Sequence, residues 1–78
     1  MYVYILNSLK NPQKYYVGLT IDLKNRLSQH NNGESDYTKA LRPWKVTVAF
    51  WFSEGEKAVQ FERYLKSQSG RAFSVKHF

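Results

Sequence analysis

Three groups of residues have types and spacings that allow chemistry, and each also has a plain structural reading. Glu62 falls by periodicity in the apolar arc of its helix, between Ala58 and Val59 and beside Leu65 in projection. A carboxylate placed there must be paired, protonated or bound to a cation. It reads either as one half of a salt bridge at the core edge or as a metal ligand. Arg26 and His30, four residues apart, stand on one helix face beside a Leu23 and Leu27 stripe. Such a pair can hold a phosphate and shuttle a proton, and the alternative is two solvated positions on a basic helix. Tyr4 and Tyr16 lie in separate strand-like runs. Paired strands can bring the two phenols to a shared surface or use both as packing. Gly18, inside the second run, removes a side chain where another backbone or a ligand can approach closely.

The elements that must position these groups follow from pattern. Residues 2–6 and Tyr15 to Leu19 are β-branched and aromatic and are separated by a polar segment with Asn11-Pro12, which predicts a β-hairpin. Thr20 is placed to cap a helix with Asp22 in its first turn, running to about His30 and ended by Asn31-Asn32-Gly33. Between Glu34 and Pro43 the pattern is weak, with one short turn over 36–40 capped by Ser35. Trp44 to Phe52 alternates, with Val46, Val48, Phe50 and Phe52 on one face, and Trp51 argues that the other face is partly covered. Ser53 and Glu56 form a capping-box signature for a helix through Ala58, Phe61 and Leu65 that Gly70 closes. The tail from Arg71 to Phe78 carries no assignment. The predicted fold is one α+β domain over 1–78, a small, mainly antiparallel three-stranded sheet flanked by helices in the order β-β-α-(short helical turn)-β-α.

Composition narrows the partners. Twelve Lys and Arg against six Asp and Glu leave a net charge of +6 on 78 residues, a field that favours polyanions and makes nucleic acid the expected partner. Without cysteine there are no disulfides and no thiolate metal sites, so any ion is held by oxygen or imidazole donors. The apolar run at the N-terminus stops at Asn7, too short for a signal peptide or a membrane span, and the expectation is a cytoplasmic protein without membrane contact, monomeric or weakly dimeric.

Val3-Tyr4, then Tyr16-Val17-Gly18, then Arg26 ten residues after Tyr16, His30, and Glu62 in the later helix together resemble the ordered motifs of the GIY-YIG endonuclease superfamily. Gly33-x-Ser35-x-Tyr37-Thr38 and Ala58-x-x-x-Glu62-x-x-x-Lys66 are similar to segments of its small, free-standing bacterial members. Ser74 falls near the place where many members carry an asparagine, and Leu19 stands where repair members often have lysine. The resemblance implies a metal-dependent DNA endonuclease acting in repair or on branched or damaged DNA. The alternative is a nucleic-acid-binding module with the same fold that does not cleave. It further implies that Glu62 holds one divalent ion, Mg²⁺ or Mn²⁺, largely through waters. Tyr4 is the phenolic base or its relay, Tyr16 orients the water or the phosphate, Arg26 neutralises phosphoryl charge, and His30 assists proton transfer. Gly18, Lys24, Lys39 and Arg42 are the expected substrate-binding residues.

Overall fold

The two β-rich runs pair as an antiparallel hairpin of β1 (Tyr2–Ser8) and β2 (Tyr15–Thr20) in the computed structural model, which describes residues 1–78 apart from the side chain at position 75. A third strand, β3 (Trp44–Trp51), pairs antiparallel with the other edge of β1, so the sheet order is β2-β1-β3. The helices are α1 (Leu23–Asn31), α2 (Gly55–Lys66) and α3 (Gln68–His77), with a 3₁₀ turn at Lys39–Leu41. The architecture is the expected α+β sheet with flanking helices, extended by α3.

The central position of β1 explains its composition. Val3, Tyr4, Ile5 and Leu6 are all buried because both faces of the sheet are covered. Val3, Ile5 and Val17 pack with Ala58, Phe61 and Leu65 of α2 on one side. Tyr4, Leu6 and Trp44 pack with Leu23 and Leu27 of α1 on the other. Consecutive residues of one strand therefore belong to two different cores.

β3 departs from strict alternation. Ile5 pairs with Val48 but Leu6 with Val46, which leaves Thr47 as the extra residue of a β-bulge. The bulge turns Val46 into the α1-side core while Val48 and Phe50 remain on the α2 side, so the predicted single apolar face is split in two. Thr47 donates its hydroxyl to the Asn7 side-chain oxygen, which anchors the bulge to β1. Trp51 is 63% exposed, so the covering expected on its face is absent at that end of the strand.

Helix ends differ from the sequence reading in specific ways. Asp22, not Thr20, caps α1 by accepting from the Asn25 N–H at 3.1 Å, while the Thr20 hydroxyl accepts from the Asp22 N–H. Gly33 ends α1 as expected, with φ of 78° and its N–H on the His30 carbonyl. Ser35 acts through its carbonyl, which accepts from Thr38 and Lys39, and the short turn lies at Lys39–Leu41. The Ser53 capping box does not form: the Phe52 N–H is still bonded to the Met1 carbonyl, so the chain stays extended too far for Ser53 to cap, and Glu54 precedes α2 without a side-chain bond. Ser67 ends α2 in place of Gly70, and its hydroxyl caps α3 by accepting from the Gly70 N–H at 3.1 Å. Among the described residues no helix is long and apolar enough to cross a membrane.

Gly70 is therefore a close-approach glycine. A Cβ there would sit on the Tyr64 carbonyl oxygen and 2.6 Å from its carbon. Backbone cannot rotate away, and overpacking costs about 1–3 kcal/mol or more, against about 1 kcal/mol of helix propensity that alanine restores. Gly70→Ala is expected to lower the urea midpoint, while Ser69→Ala, exposed one position earlier, leaves it unchanged. Equal midpoints for Gly70→Ala and the parent would remove the crossing argument.

Candidate active site

The register of the hairpin sets Tyr4 directly opposite Gly18. A Cβ at position 18 would land on the Tyr4 hydroxyl and 2.5 Å from its Cζ. The gap that glycine leaves is thus filled by the phenol of Tyr4. The Tyr4 hydroxyl meets His30 Nε2 at 2.9 Å, and His30 Nδ1 meets the Thr38 hydroxyl at 2.8 Å. The Thr38 hydroxyl also points at the Ser35 carbonyl, at 3.4 Å.

Proton positions follow by counting. If Nδ1 carries the proton, it donates to Thr38, Thr38 donates to Ser35, and Tyr4 donates to Nε2, so three bonds form. The opposite tautomer sends the Thr38 proton to the ring and leaves the Ser35 carbonyl without it. A buried network adopts the assignment that satisfies more groups, so Tyr4 is the donor to a neutral imidazole. Tyr16 completes the aromatic wall, its ring centroid 5.0 Å from that of His30 and 6.3 Å from that of Tyr4.

The surrounding charges act on the same phenol. Burial holds the Tyr4 phenol above its ordinary value; interaction with the Arg26 guanidinium pulls it down, Tyr16 pushes it up, and the charges of Arg26 and Glu62 act in those same two directions. Burial wins, and Arg26 only offsets it. The Arg26 guanidinium is itself held further up, chiefly by its interaction with the Tyr4 oxygen, and it donates through Nη1 to the Gln29 side chain at 2.8 Å. Burial, with Arg26 adding to it, pushes His30 below the ordinary imidazole value.

Glu62 comes from α2, which packs on the other side of the sheet, and its charge is felt at Tyr4. Its side chain is 14% exposed and pairs with Lys66, one turn on, at 2.7 Å. The Lys66 ammonium stands 6.0 Å from the centroid of the Tyr16 ring. Among the described residues no group of three or more His, Cys, Asp or Glu could hold a metal ion. A lone carboxylate with access to solvent suits a hard cation that keeps most of its water, the habit of Mg²⁺.

Of the expected substrate-binding residues, only Gly18 lies in the site, beneath Tyr4. Lys24 borders a separate depression with Tyr2, Ile21 and Leu27. Lys39 pairs with Asp36 across 3.9 Å in solvent, and the Arg42 guanidinium rests on Gly33 at the end of α1. The cleft beside Tyr16 is instead bordered by Lys14, Lys66, Arg71 and Tyr37. Sequence reasoning missed Arg71 because its position depends on α3, and it missed Lys14 because a lone lysine before a strand carries no signal. Ser74 lines a pocket with Ile5, Tyr15 and Phe78, on the α2 side of the sheet, away from Tyr4.

Comparison with known proteins identifies the family and the fold. The family model of the GIY-YIG catalytic domain matches residues 1–76. A UPF0213 protein of Streptococcus pneumoniae is 38% identical over 66 residues, covering 83% of this chain and 65% of that protein. The structure-specific endonuclease subunit SLX1 of Debaryomyces hansenii is 37% identical over 71 residues, 82% of this chain but 20% of its own length. The chain thus spans less than two thirds of these relatives. The solution NMR structure of a UPF0213 protein from Bacillus halodurans superposes with a TM-score of 0.56 at 28% identity, over 96% of this chain and 81% of that one.

Two outcomes follow from the buried network. Because the folded His30 titrates below the free value of about 6.5, the unfolded chain binds a proton the folded chain does not in the window beneath that value. Stability is then complete above about pH 6.5 and falls as pH drops toward the folded value. Urea unfolding between pH 7.5 and 5 should show this decline, and a flat profile would contradict a buried neutral imidazole. Gly18→Ala should displace the phenol, cost about 1–3 kcal/mol, and shift the His30 ring resonances in an NMR spectrum; unchanged resonances would mean the alanine is accommodated elsewhere.

Proposed function

This chain belongs to the GIY-YIG catalytic-domain family, and from that membership we propose that it is a metal-dependent DNA endonuclease that hydrolyses one phosphodiester bond per event. The observation that supports the proposal is the buried hydrogen bond of Tyr4 to His30 at 2.9 Å, with Tyr16 packed against the same imidazole and the charges of Arg26 and Glu62 felt at the phenol. The fungal relative is a structure-specific endonuclease subunit, which favours a DNA substrate recognised by shape. A small basic domain offers little surface for reading a long base sequence, which supports the same class, including branched or damaged DNA met in repair.

In this reading an attacking water gives a proton to the Tyr4 oxygen as the Tyr4 proton passes to His30 Nε2. The water oxygen bonds to phosphorus, the bond to the 3′ oxygen breaks, and that oxygen takes a proton from solvent. The products carry a 3′ hydroxyl and a 5′ phosphate. Arg26 offsets charge growing on the non-bridging oxygens, and Tyr16 orients the water or the phosphate. Glu62 is the residue that would hold a divalent ion, Mg²⁺ or Mn²⁺, after releasing Lys66. Bound there, such an ion supplies positive charge to the phosphoryl group and the departing oxygen. Lys24, Lys39 and Arg42, all exposed, add attraction for flanking phosphates.

Plasmid incubated with the protein and Mg²⁺ should be nicked, and chelator should stop the reaction. Glu62→Gln should remove metal-stimulated cleavage while leaving salt-sensitive DNA binding intact, and Tyr4→Phe should slow cleavage by about 10²- to 10⁴-fold. If a wide panel of plasmid, flap and junction DNA stays intact yet binds, the non-cleaving module takes the place of the enzyme.

A further inference from the structure

Among the described residues, the most exposed large hydrophobic side chain stands beside the candidate site. Tyr37 is 89% exposed and contributes to neither core cluster. Its backbone is nevertheless fixed. The next residue, Thr38, is buried and held by its N–H on the Ser35 carbonyl, its hydroxyl on His30, and its carbonyl accepting from the Trp44 indole at 2.8 Å. A ring held in water on a rigid loop loses little conformational freedom when something stacks on it.

The cleft it borders has the character of a nucleic-acid groove. Tyr37 shares it with Tyr16 of the candidate site and with three cations, Lys14, Lys66 and Arg71, and no carboxylate is among the lining residues. Its volume of about 690 Å³ is in the range of ligand clefts, about 300–1,000 Å³. A positive groove combined with an exposed aromatic ring is how proteins hold single strands, with the charges tracking the backbone and a base stacking on the ring. In an intact duplex both faces of every base are already covered by their neighbours, so a ring at this place has no partner there.

We propose that Tyr37 is a stacking platform for one unpaired base near the scissile phosphate, and that the Lys14, Lys66 and Arg71 cleft takes the single-stranded segment of a flap, fork or open end. The proposal rests on the endonuclease reading for the position of the phosphate.

Fluorescence anisotropy in chelator, with the full chain and no turnover, separates the cases. A labelled oligothymidylate should bind more tightly than a duplex of equal length. Tyr37→Ala should weaken oligothymidylate binding by roughly 5- to 150-fold, the worth of one base stack, with duplex binding unchanged, and Tyr37→Phe should retain it. The exposed position leaves the fold intact, which circular dichroism checks. Unchanged single-strand affinity in Tyr37→Ala, or equal loss for single strand and duplex, overturns the platform. Stacking without cleavage of any substrate in Mg²⁺ would keep the platform and end the endonuclease reading. Nicking that Tyr37→Ala leaves untouched, with single-strand affinity also unchanged, would do the reverse.

Discussion

The phenol of Tyr4 takes the space that a side chain at position 18 would need, and its hydroxyl must then find a partner inside the protein. His30 Nε2 is that partner, which fixes the last turn of α1 against the sheet. The other ring nitrogen is satisfied in turn by Thr38, and this fixes the loop after the helix. The Thr38 carbonyl receives the Trp44 indole N–H at the start of β3, and the Asn31 side chain both accepts from the Trp44 N–H at 2.6 Å and donates to its carbonyl at 3.1 Å. One series of buried polar demands therefore links the first strand, the first helix, the connecting loop and the third strand. Breaking it anywhere leaves a desolvated group without a partner, which costs more than the bond itself contributes.

Burial moves Tyr4 and His30 in opposite senses, the phenol upward and the imidazole downward. Both shifts favour the resting arrangement in which the proton stays on oxygen and neither group is charged. Moving that proton creates a phenolate and an imidazolium within one hydrogen bond, a pair that attracts strongly where water is excluded. In the proposed mechanism the low dielectric that opposes separate ionisation would permit joint transfer, and the charge of Arg26, felt at the phenol, would offset negative charge on its oxygen.

The hairpin, the β-branched and aromatic runs of β1 and β2, and the glycine end of α1 were legible because each rests on local propensity or on φ. The five candidate residues were singled out through an ordered resemblance, and periodicity alone left each of them with an ordinary explanation. What was hidden depends on tertiary contact. The bulge at Thr47 obeys the pairing of β1 with β3 and leaves no trace in the alternation of β3. Gly70 has the same chemical reason to end a helix as to let two helices touch, and only the approach of the Tyr64 carbonyl decides between them. The cations beside Tyr16 come from β2's leading turn, from α2 and from α3, so no sequence window contains them together.

The location of the candidate site at β2 follows from the helices lying on opposite faces of the sheet. Residues from α1 and α2 can converge only where the sheet ends, and β2 is an edge strand. Tyr16 at that edge is approached by His30 from one side and by Lys66, paired with Glu62, from the other. Had Tyr16 occupied the central strand, the sheet itself would have screened α2 from α1. The same openness keeps the pair exchangeable: Lys66 is 49% exposed, so solvent screens its attraction to Glu62 and a partly exposed pair of this kind is weak. Glu62 is then a carboxylate shielded enough to hold its position and free enough to change partner. The cations flanking β2 also blunt an edge that could otherwise pair with another strand, so the charges that would attract a polyanion protect the sheet as well.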